Sequence, residues 1–406
     1  MVFLLYFCEV IKKETMIEDV VKYVKEVIGA DDERIEIVDS GALMAMSRGE
    51  KVTPREDLTW EGVPVLFGKE GMETHDGRIK INADLIASAA YVLGRGDELF
   101  GDCERDEHGR QIGKKSLLGR LGWTERPLVD EYRRILNHLT NKTNNENDFK
   151  VILTHDVDVL RRGGRIATFM SLMDVRKSKH WTFDWMRRLS EPLRLKMKEK
   201  CEEIVFVKAS YGLKQAKEDE PTYNLNGKDF CVLKNWCRKE GVRVGLHGSY
   251  LSGQETESLI EEKKRLEEAL CEKVTMQRNH FLRQLSPANL VALEKIGFED
   301  DYTTGWADCV GFKIGTCRAV RRLDLVTMEV GSLRTHPLSI MDCTLTDEKY
   351  MGLTAEPAKD KAIEIAKVVK RYGGELILLW HNHTVGKGEA HREIYKRIVE
   401  SLVKDV

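Results

Sequence analysis

Three side chains that could bind a metal ion or transfer a proton stand together near the middle of this 406-residue chain. His155, Asp156 and Asp158 come at the end of an apolar run, 151–154, that has the composition of a β-strand. Because side chains alternate faces along a strand, Asp156 and Asp158 are predicted to project to the same side. Two such carboxylates suit one metal ligand and one general base. The alternative is that they only cap the next segment.

Further apolar runs are also followed by side chains that could do chemistry. They are 242–246 before His247, 273–276 before Arg278 and His280, and 375–380 before His381 and His383. The carboxyl ends of parallel strands lie on one face of a sheet or barrel, so we expect these side chains to meet. Aspartate and histidine together are ligands that Zn²⁺ prefers. A metal-binding site is therefore the favoured interpretation of this group of side chains.

The elements that must position these side chains alternate between strand and helix. The predicted strands are 151–154, 203–207, 242–246, 273–276 and 375–380, and the predicted helices are 184–200, 229–240, 255–271, 286–296, 357–372 and 389–405. Alternating βα units predict an α/β fold with a parallel sheet, either open or closed into a barrel.

The first part of the chain has a pattern of its own. It comprises a predicted strand at 1–8, an amphipathic helix at 15–30, strands at 34–39 and 63–68, a strand that passes into a helix over 79–93, and a helix at 127–139. Asn82 or Asp84 is expected to cap the helix within 79–93. The polar, asparagine-rich segment 141–148 is predicted to be a linker. We therefore expect a small α/β domain at 1–145 and a larger domain at 149–406.

Composition excludes several classes of protein. With 42% hydrophobic and 33% charged residues, the chain can form a substantial core. A formal net charge of −2 without a long basic block argues against a nucleic-acid partner. The apolar residues 1–8 are too short to cross a membrane and lack a basic leader or cleavage site, so neither membrane insertion nor export is expected. Nine cysteines without a CxxC pair suit reduced thiols, and the expected compartment is the cytoplasm.

Conventional catalytic motifs are missing from the sequence. It contains neither a GxSxG elbow nor HExxH, and its paired glycines lack the flanking pattern of a dinucleotide or phosphate-binding loop. The cysteines fall beside none of the proposed strand ends, so nucleophilic catalysis by a Cys–His pair is a weak candidate.

The ordered motifs resemble those of the polysaccharide deacetylases, the NodB-homology superfamily that includes carbohydrate esterase family four. The resemblance covers the segments 154–158, 245–250, 278–282, 300–305 with 311–315, and 378–381. Residues 1–145 are similar to the uncharacterised domain that precedes one subgroup of these enzymes, notably at 84–93 and 126–130. The resemblance implies a deformed (β/α) barrel of NodB-homology type, preceded by a smaller α/β domain.

The same resemblance implies roles for individual side chains. It makes Asp156 the general base, oriented by Arg278, and His381 the general acid. It makes Asp158 and His247 metal ligands. The expected substrate contacts are Tyr250, Asp301, Trp306 and Trp380. For the two tryptophans, packing in the core is an equally good interpretation.

The sequence departs from the family at one metal ligand. The usual second motif has two histidines four residues apart, but Leu251 stands at the second position here. His280 is the candidate replacement, with His155, His383 or a water as alternatives. Without a replacement the chain would be a weakly active or inactive relative.

The sequence therefore predicts a metal-dependent hydrolase, with Zn²⁺ as the expected metal, that removes N-acetyl or O-acetyl groups from a carbohydrate. Hydrolysis of an amide or imide in a non-sugar substrate is an alternative activity. A carbohydrate-binding protein without turnover is an alternative of a different class. The expected partner is an acetylated carbohydrate. Residues 1–145 could select substrate or form dimers, so a homo-oligomer is left open.

Overall fold

A computed structural model describes residues 2–143, 148–160, 182–284, 286, 288–387 and 389–405 of the chain. The predicted linker at 141–148 lies partly outside these residues. The division of the chain into two domains at that linker therefore stays a prediction.

The N-terminal part combines helices with a small sheet. Its elements are α1 (Val2–Ile28), β1 (Ile35–Ile37), α2 (Ala42–Ser47), β2 (Thr59–Trp60), β3 (Val63–Pro64), β4 (Gly68–His75), β5 (Arg78–Ala83), α3 (Leu85–Leu93), α4 (Gly96–Phe100), α5 (Leu117–Arg120) and α6 (Leu128–Leu139). Strand β5 lies between β1, which is parallel to it, and β4, which is antiparallel. Asp84 caps α3 as predicted, because its carboxylate accepts a hydrogen bond from the Ala87 amide at 2.8 Å.

The prediction of a strand at residues 1–8 is wrong. Residues 2–8 belong to α1, which continues without interruption through the helix predicted at 15–30. A short apolar run fits a buried strand and a buried helix equally well, and no glycine or proline separates this run from the helical pattern after it.

The C-terminal part alternates strands and helices. Its elements are β6 (Lys150–Val157), α7 (Thr182–Met197), β7 (Cys201–Val207), α8 (Lys228–Glu240), β8 (Arg243–Gly248), α9 (Thr256–Leu270), β9 (Met276–Asn279), α10 (Ala288–Ile296), β10 (Asp300–Asp301), β11 (Val320–Asp324), β12 (Glu329–Thr335), β13 (Ile340–Met341), α11 (Asp342–Thr346), α12 (Ala355–Tyr372), β14 (Glu375–Leu379), α13 (Asn382–Lys387) and α14 (Glu389–Asp405).

The large sheet of the described residues has the strand order β11-β12-β10-β9-β8-β7-β6-β14-β13. Its neighbours are parallel except for the antiparallel pair of β11 and β12, so the predicted α/β fold with a parallel sheet is confirmed. Strand β9 begins at the last residue of its prediction, 273–276. The polar residues of β9 are buried, and a pattern based on apolar residues cannot detect them.

Two faces of the sheet receive different side chains. On β6, Val151 and Leu153 pack with the C-terminal helices, whereas Ile152 belongs to a separate apolar cluster on the opposite face. On β14, Trp380 follows on the helix-covered side, whereas Leu379 lies on the opposite face. This alternation places Asp156 and His381 on the same face of the sheet, away from the helices.

The residues from β12 to β13 connect two distant strands of this sheet. Thr335 of β12 pairs with Asp301 of β10, and Leu338 forms a parallel bridge with Gly305. Ile340 of β13 then pairs with Leu378 of β14.

The N-terminal core extends across the predicted linker. Its buried side chains include Ile314, Val320, Leu323, Leu325 and Met328 from the C-terminal part. The Tyr23 hydroxyl also donates a hydrogen bond to the Arg321 carbonyl at 2.9 Å. The two parts of the chain therefore share one apolar cluster. Across the helices that the structure describes, none is both long and apolar enough to cross a membrane.

Candidate metal centre

Asp158, His247 and His280 bring potential metal ligands together at the ends of three strands. One ligand atom from each lies within 4.8 Å of the others, and all three residues are buried. The Asp158 Oδ1 lies 3.5 Å from His247 Nε2 and 3.4 Å from His280 Nε2. The three donors predicted for the metal therefore meet, and one carboxylate with two imidazoles is a donor set typical of Zn²⁺.

Hydrogen bonds orient both imidazoles toward Asp158. The Nδ1 of His247 lies 3.0 Å from the Arg278 carbonyl, so this nitrogen must carry the proton that it donates. The Nδ1 of His280 lies 3.1 Å from Asp219 Oδ1. Both Nε2 lone pairs are thereby left for a ligand, an arrangement common around protein-bound metals.

Two atoms of the cluster lack hydrogen-bond partners. Both Asp158 Oδ1 and His247 Nε2 are buried without one. Because buried polar atoms are usually satisfied, their convergence fits a cation between them. Burial lowers the pKa of His280 to about 4, so its imidazole is neutral and able to coordinate at neutral pH.

Position 251, where the sequence resemblance led us to expect a histidine ligand, is occupied by a leucine, which cannot coordinate a metal. Leu251 begins a short 3-10 helix, and His280 supplies the third donor of the cluster. His155 projects to the helix-covered face, where its Nε2 lies 3.1 Å from Glu203. His383 Nδ1 lies 3.2 Å from Asp158 Oδ2 but is not aligned for a hydrogen bond. His280 and His383 therefore remain the histidine candidates, whereas His155 faces away.

Asp156 lies beside the cluster and is held by Arg278. The fully buried Arg278 donates from one terminal nitrogen to Asp156 Oδ1 at 3.0 Å and to Thr154 Oγ1 at 2.8 Å. Its Nε donates to the Tyr302 carbonyl at 2.9 Å. The other Asp156 oxygen, Oδ2, faces His247 Nε2 at 3.7 Å. The Oδ2 atom of Asp156 is therefore directed toward the candidate metal ligands.

His381 is held by a carboxylate that the sequence analysis did not assign to the site. Its Nδ1 lies 2.6 Å from Asp342 Oδ1, and its Nε2 lies 4.0 Å from Asp156 Oδ2. Burial by itself would lower the pKa of His381, but the Asp342 carboxylate raises it well above the usual value. The Asp342 carboxylate therefore favours the protonated, imidazolium form of His381.

A cysteine also lies next to His381. Cys343 lies two residues after the end of β13, and its Sγ is 4.0 Å from His381 Nδ1. Burial raises the pKa of this thiol, so it stays protonated at neutral pH. The sequence analysis placed no cysteine beside a strand end because it did not predict β13.

Two further residues of the site were missed. Lys208 follows β7 directly, so the rule that polar groups gather at strand ends would have found it. Its Nζ donates to the Asp219 carbonyl at 3.1 Å and lies 3.5 Å from Asp158 Oδ1. Asp219 ends a short 3-10 helix, Lys217–Asp219, and no sequence signal marks it.

The predicted substrate contacts fall into two groups. Tyr250 borders the site, and its backbone N–H donates to Asp219 at 2.7 Å. Asp301 is buried and accepts hydrogen bonds from Gln277 and Thr303, so it supports the interior of the sheet.

Both predicted tryptophans are buried. Trp306 is buried beside Lys313, whose Nζ lies 5.2 Å from the ring centroid. Trp380 is fully buried against Tyr395, with ring centroids 5.0 Å apart. Trp380 and His381 directly follow β14, and the alternation that continues from the strand directs His381 into the site and Trp380 into the helix-covered core.

Comparisons with known proteins give one family match and several distant structures. Residues 3–145 match a family of unknown function, DUF7033. No curated protein matches the chain.

Three solved structures share limited similarity with the chain. A putative polysaccharide deacetylase from Mycobacterium smegmatis is 17% identical with a TM-score of 0.42, and the alignment covers 64% of this chain and 86% of that one. Puue allantoinase is 14% identical with a TM-score of 0.39, over 62% and 82% of the two chains. A mutant CE4 family pseudoenzyme with restored enzymatic activity is 15% identical with a TM-score of 0.30, over 66% and 69%.

Proposed function

We propose that this chain is a metal-dependent hydrolase that removes acetyl groups from a carbohydrate. The observation that carries the proposal is the convergence of Asp158, His247 and His280, with two orphaned buried atoms, beside Asp156 and His381. Buried Asp and His donors next to an oriented carboxylate and an imidazolium are the groups that metal-assisted hydrolysis requires.

The metal has a defined role in this proposal. The chemistry that a divalent cation supplies, when held by Asp158, His247 and His280, is polarisation of the acyl carbonyl and a lowered pKa of a neighbouring water. Zn²⁺ is the proposed metal because one carboxylate and two imidazoles leave an open position in its usual coordination.

Asp156 is the proposed general base. Its Oδ1 is occupied by the hydrogen bond from Arg278, whereas Oδ2 faces the cluster and can accept the proton of the attacking water. The Arg278 guanidinium also keeps the carboxylate oriented during this transfer. In this step the water oxygen bonds to the acyl carbon, and its proton passes to Asp156.

His381 is the proposed general acid. The Asp342 carboxylate holds the imidazolium, and its Nε2 faces the same region as Asp156 Oδ2. When the bond between the acyl carbon and the sugar nitrogen or oxygen breaks, His381 donates a proton to the departing atom. An amine needs this proton because an amide anion is a very poor leaving group. The products are acetate and the deacetylated sugar.

We also propose that the strands close into a deformed barrel of NodB-homology type. Support comes from the segment between β12 and β13, which pairs with β10 and the residues after it on one side and with β14 on the other. Such closure would surround the strand ends that carry Asp156, His247 and His381 and would limit the access of bulk water.

The test compares metal content and acetate release. The purified chain is expected to contain about one equivalent of zinc and to release acetate from N-acetylated or O-acetylated sugars, and a chelator should abolish the release. Asp156→Asn should retain the zinc and lower turnover by about 10²-fold or more. The exposed Asp360, changed to Asn, is the matched control and should behave as the wild type.

Two results would contradict this proposal. Absence of bound zinc together with no effect of Asp156→Asn on turnover would exclude the metal-assisted mechanism and favour a carbohydrate-binding protein. Hydrolysis of a cyclic amide without any release of acetate would favour the amide or imide hydrolase instead.

A further inference from the structure

The turn that carries His280 has an unusual backbone conformation. Phe281 has a φ of 60° and a ψ of 16°, and Leu282 has a φ of 52°. Both values fall in the left-handed region, which residues with a large side chain rarely adopt. A backbone of this kind persists where surrounding contacts hold it, and here it directly follows a candidate metal ligand.

The contacts that hold this turn come from the N-terminal part of the chain. Arg110 donates a hydrogen bond to the Phe281 carbonyl at 2.9 Å. Arg95 donates to the Gln284 carbonyl at 3.1 Å and also to the Gln284 side chain. In the opposite direction, Arg283 donates to the carbonyl of His108 at 3.2 Å.

These N-terminal groups are themselves fixed. Arg110 is buried, and its Nε donates to Asp106 at 2.8 Å while a terminal nitrogen donates to the Tyr350 hydroxyl at 3.0 Å. The chain on either side of Arg110 is closed by an antiparallel bridge between Arg105 and Gln111. A fixed guanidinium is suited to holding a carbonyl because its donors are rigid and always charged.

Side-chain packing links the N-terminal part to His280. The His108 ring lies 4.5 Å from the Phe281 ring, and the Phe281 ring lies 4.7 Å from the His280 ring, measured between centroids. His108 Nδ1 also lies 3.3 Å from the hydroxyl of Tyr250. One layer of rings therefore separates residue 108 from the third donor of the cluster.

We propose that Arg95, His108 and Arg110 form an N-terminal clamp that positions His280 for the metal. Without the clamp the turn would relax toward an extended conformation, and the Nε2 of His280 would move away from Asp158. The inference rests on the metal site of the proposed function. It gives residues 1–145 a role in metal binding, because the clamp holds the ligand that stands in for the histidine missing at Leu251.

The experiment measures zinc affinity of the full chain by competition with a chromogenic chelator. Arg110→Ala is expected to weaken zinc binding by about 10-fold or more, in the range found when groups that orient metal ligands are removed. Arg110→Lys keeps one donor and should lose less. Lys114→Ala is the matched control, because Lys114 also reaches across to the C-terminal part, at the Tyr350 carbonyl, but does not touch the turn.

A double-mutant cycle separates positioning from a general structural role. If the clamp acts through His280, Arg110→Ala should cause little further loss of zinc affinity in a His280→Ala background. An equal loss in both backgrounds, or wild-type affinity of folded Arg110→Ala, would overturn the clamp. If Arg110→Ala does not fold, the same cycle is run with Arg110→Lys.

The two proposals fail in different ways. A wild-type chain that binds no zinc would overturn the metal site and the clamp together. A wild-type chain that binds zinc, with affinity indifferent to Arg110, would overturn the clamp and leave the proposed hydrolase intact.

Discussion

Asp156 and Asp158 are two residues apart on the same face, yet their carboxylates have different neighbours. Arg278 occupies one oxygen of Asp156. Asp158 instead faces His247 and His280. Burial acts to raise the pKa of Asp158, but the nearby histidines and Lys208 hold it well below the usual value, so its carboxylate is ionised and able to bind a cation.

The pairing of His381 with Asp342 has a consequence for the pH dependence of turnover. In Asp342→Asn the imidazolium loses the carboxylate that raises its pKa. We expect turnover to fall by about 10²-fold at neutral pH, and the alkaline limit of activity to move to lower pH, because the acid form is lost earlier. A pH–rate profile of kcat checks this.

The control for this variant is its substrate and metal binding. Because Asp342 contacts His381 and not the three metal donors, KM and zinc content should change little. An unshifted alkaline limit would show that His381 is not the acid.

At the scale of elements, strand alternation decides which neighbours share the site. At the end of β14 and in the two residues after it, Leu379 and His381 lie on one face and Trp380 lies on the other. On β6 the same rule separates Asp156 from His155, whose Nδ1 instead lies 3.1 Å from the Trp380 carbonyl. Trp380, the neighbour of His381, is therefore directed into the core.

His336 links three strands of the large sheet. It lies away from the candidate metal centre. His336 follows β12 and lies 2.9 Å from Asp300 of β10 and 2.7 Å from Glu375 of β14. Burial alone would lower the pKa of His336, but these two carboxylates raise it to about 9. The charged imidazolium therefore stabilises the folded state.

The stability of the wild type should consequently depend on pH in a defined window. The folded-state pKa of His336 exceeds the unfolded value of about 6.5, so the stabilisation is complete below pH 6.5 and is lost as the pH rises through 9. The loss is on the order of 3 kcal/mol. Urea unfolding at several pH values should show this decrease.

His336→Gln is the comparison for this prediction. It should be less stable than the wild type at pH 6 and should lose less stability between pH 6.5 and 9.5. Parallel pH profiles for the two proteins would show that His336 does not carry the effect.

At the scale of the whole molecule, the N-terminal and C-terminal parts share one apolar cluster. Val320 and Leu323 of β11, together with Leu325 after it, pack among the side chains of the N-terminal part. Removing residues 1–145 would expose this apolar surface to water, at a cost of about 25 cal/mol per Å².

A fragment of residues 149–406 is therefore expected to be unstable. The full chain should unfold in one cooperative transition, whereas the fragment should melt at a lower temperature and bind a hydrophobic dye. Thermal unfolding with circular dichroism and dye fluorescence measures both. A fragment as stable as the full chain would show that the shared core contributes little.

Local patterns were sufficient for much of the large sheet. The apolar runs that became β6, β7, β8 and β14 are short, contiguous and followed by polar groups, so periodicity located them. Strands β10 to β13 were missed because two of them have only two residues and the β11–β12 hairpin is rich in charges.

The sequence by itself determined that Asp156, Asp158, His247 and His381 gather at one edge of a parallel sheet, because strand direction and side-chain alternation are local properties of the chain. Only the tertiary structure decided how these groups are held. Arg278 reaches Asp156 across 122 positions, and Arg110 reaches the turn after His280 across 171. Contacts between residues so far apart depend on how whole elements pack, and no short stretch of sequence encodes that packing.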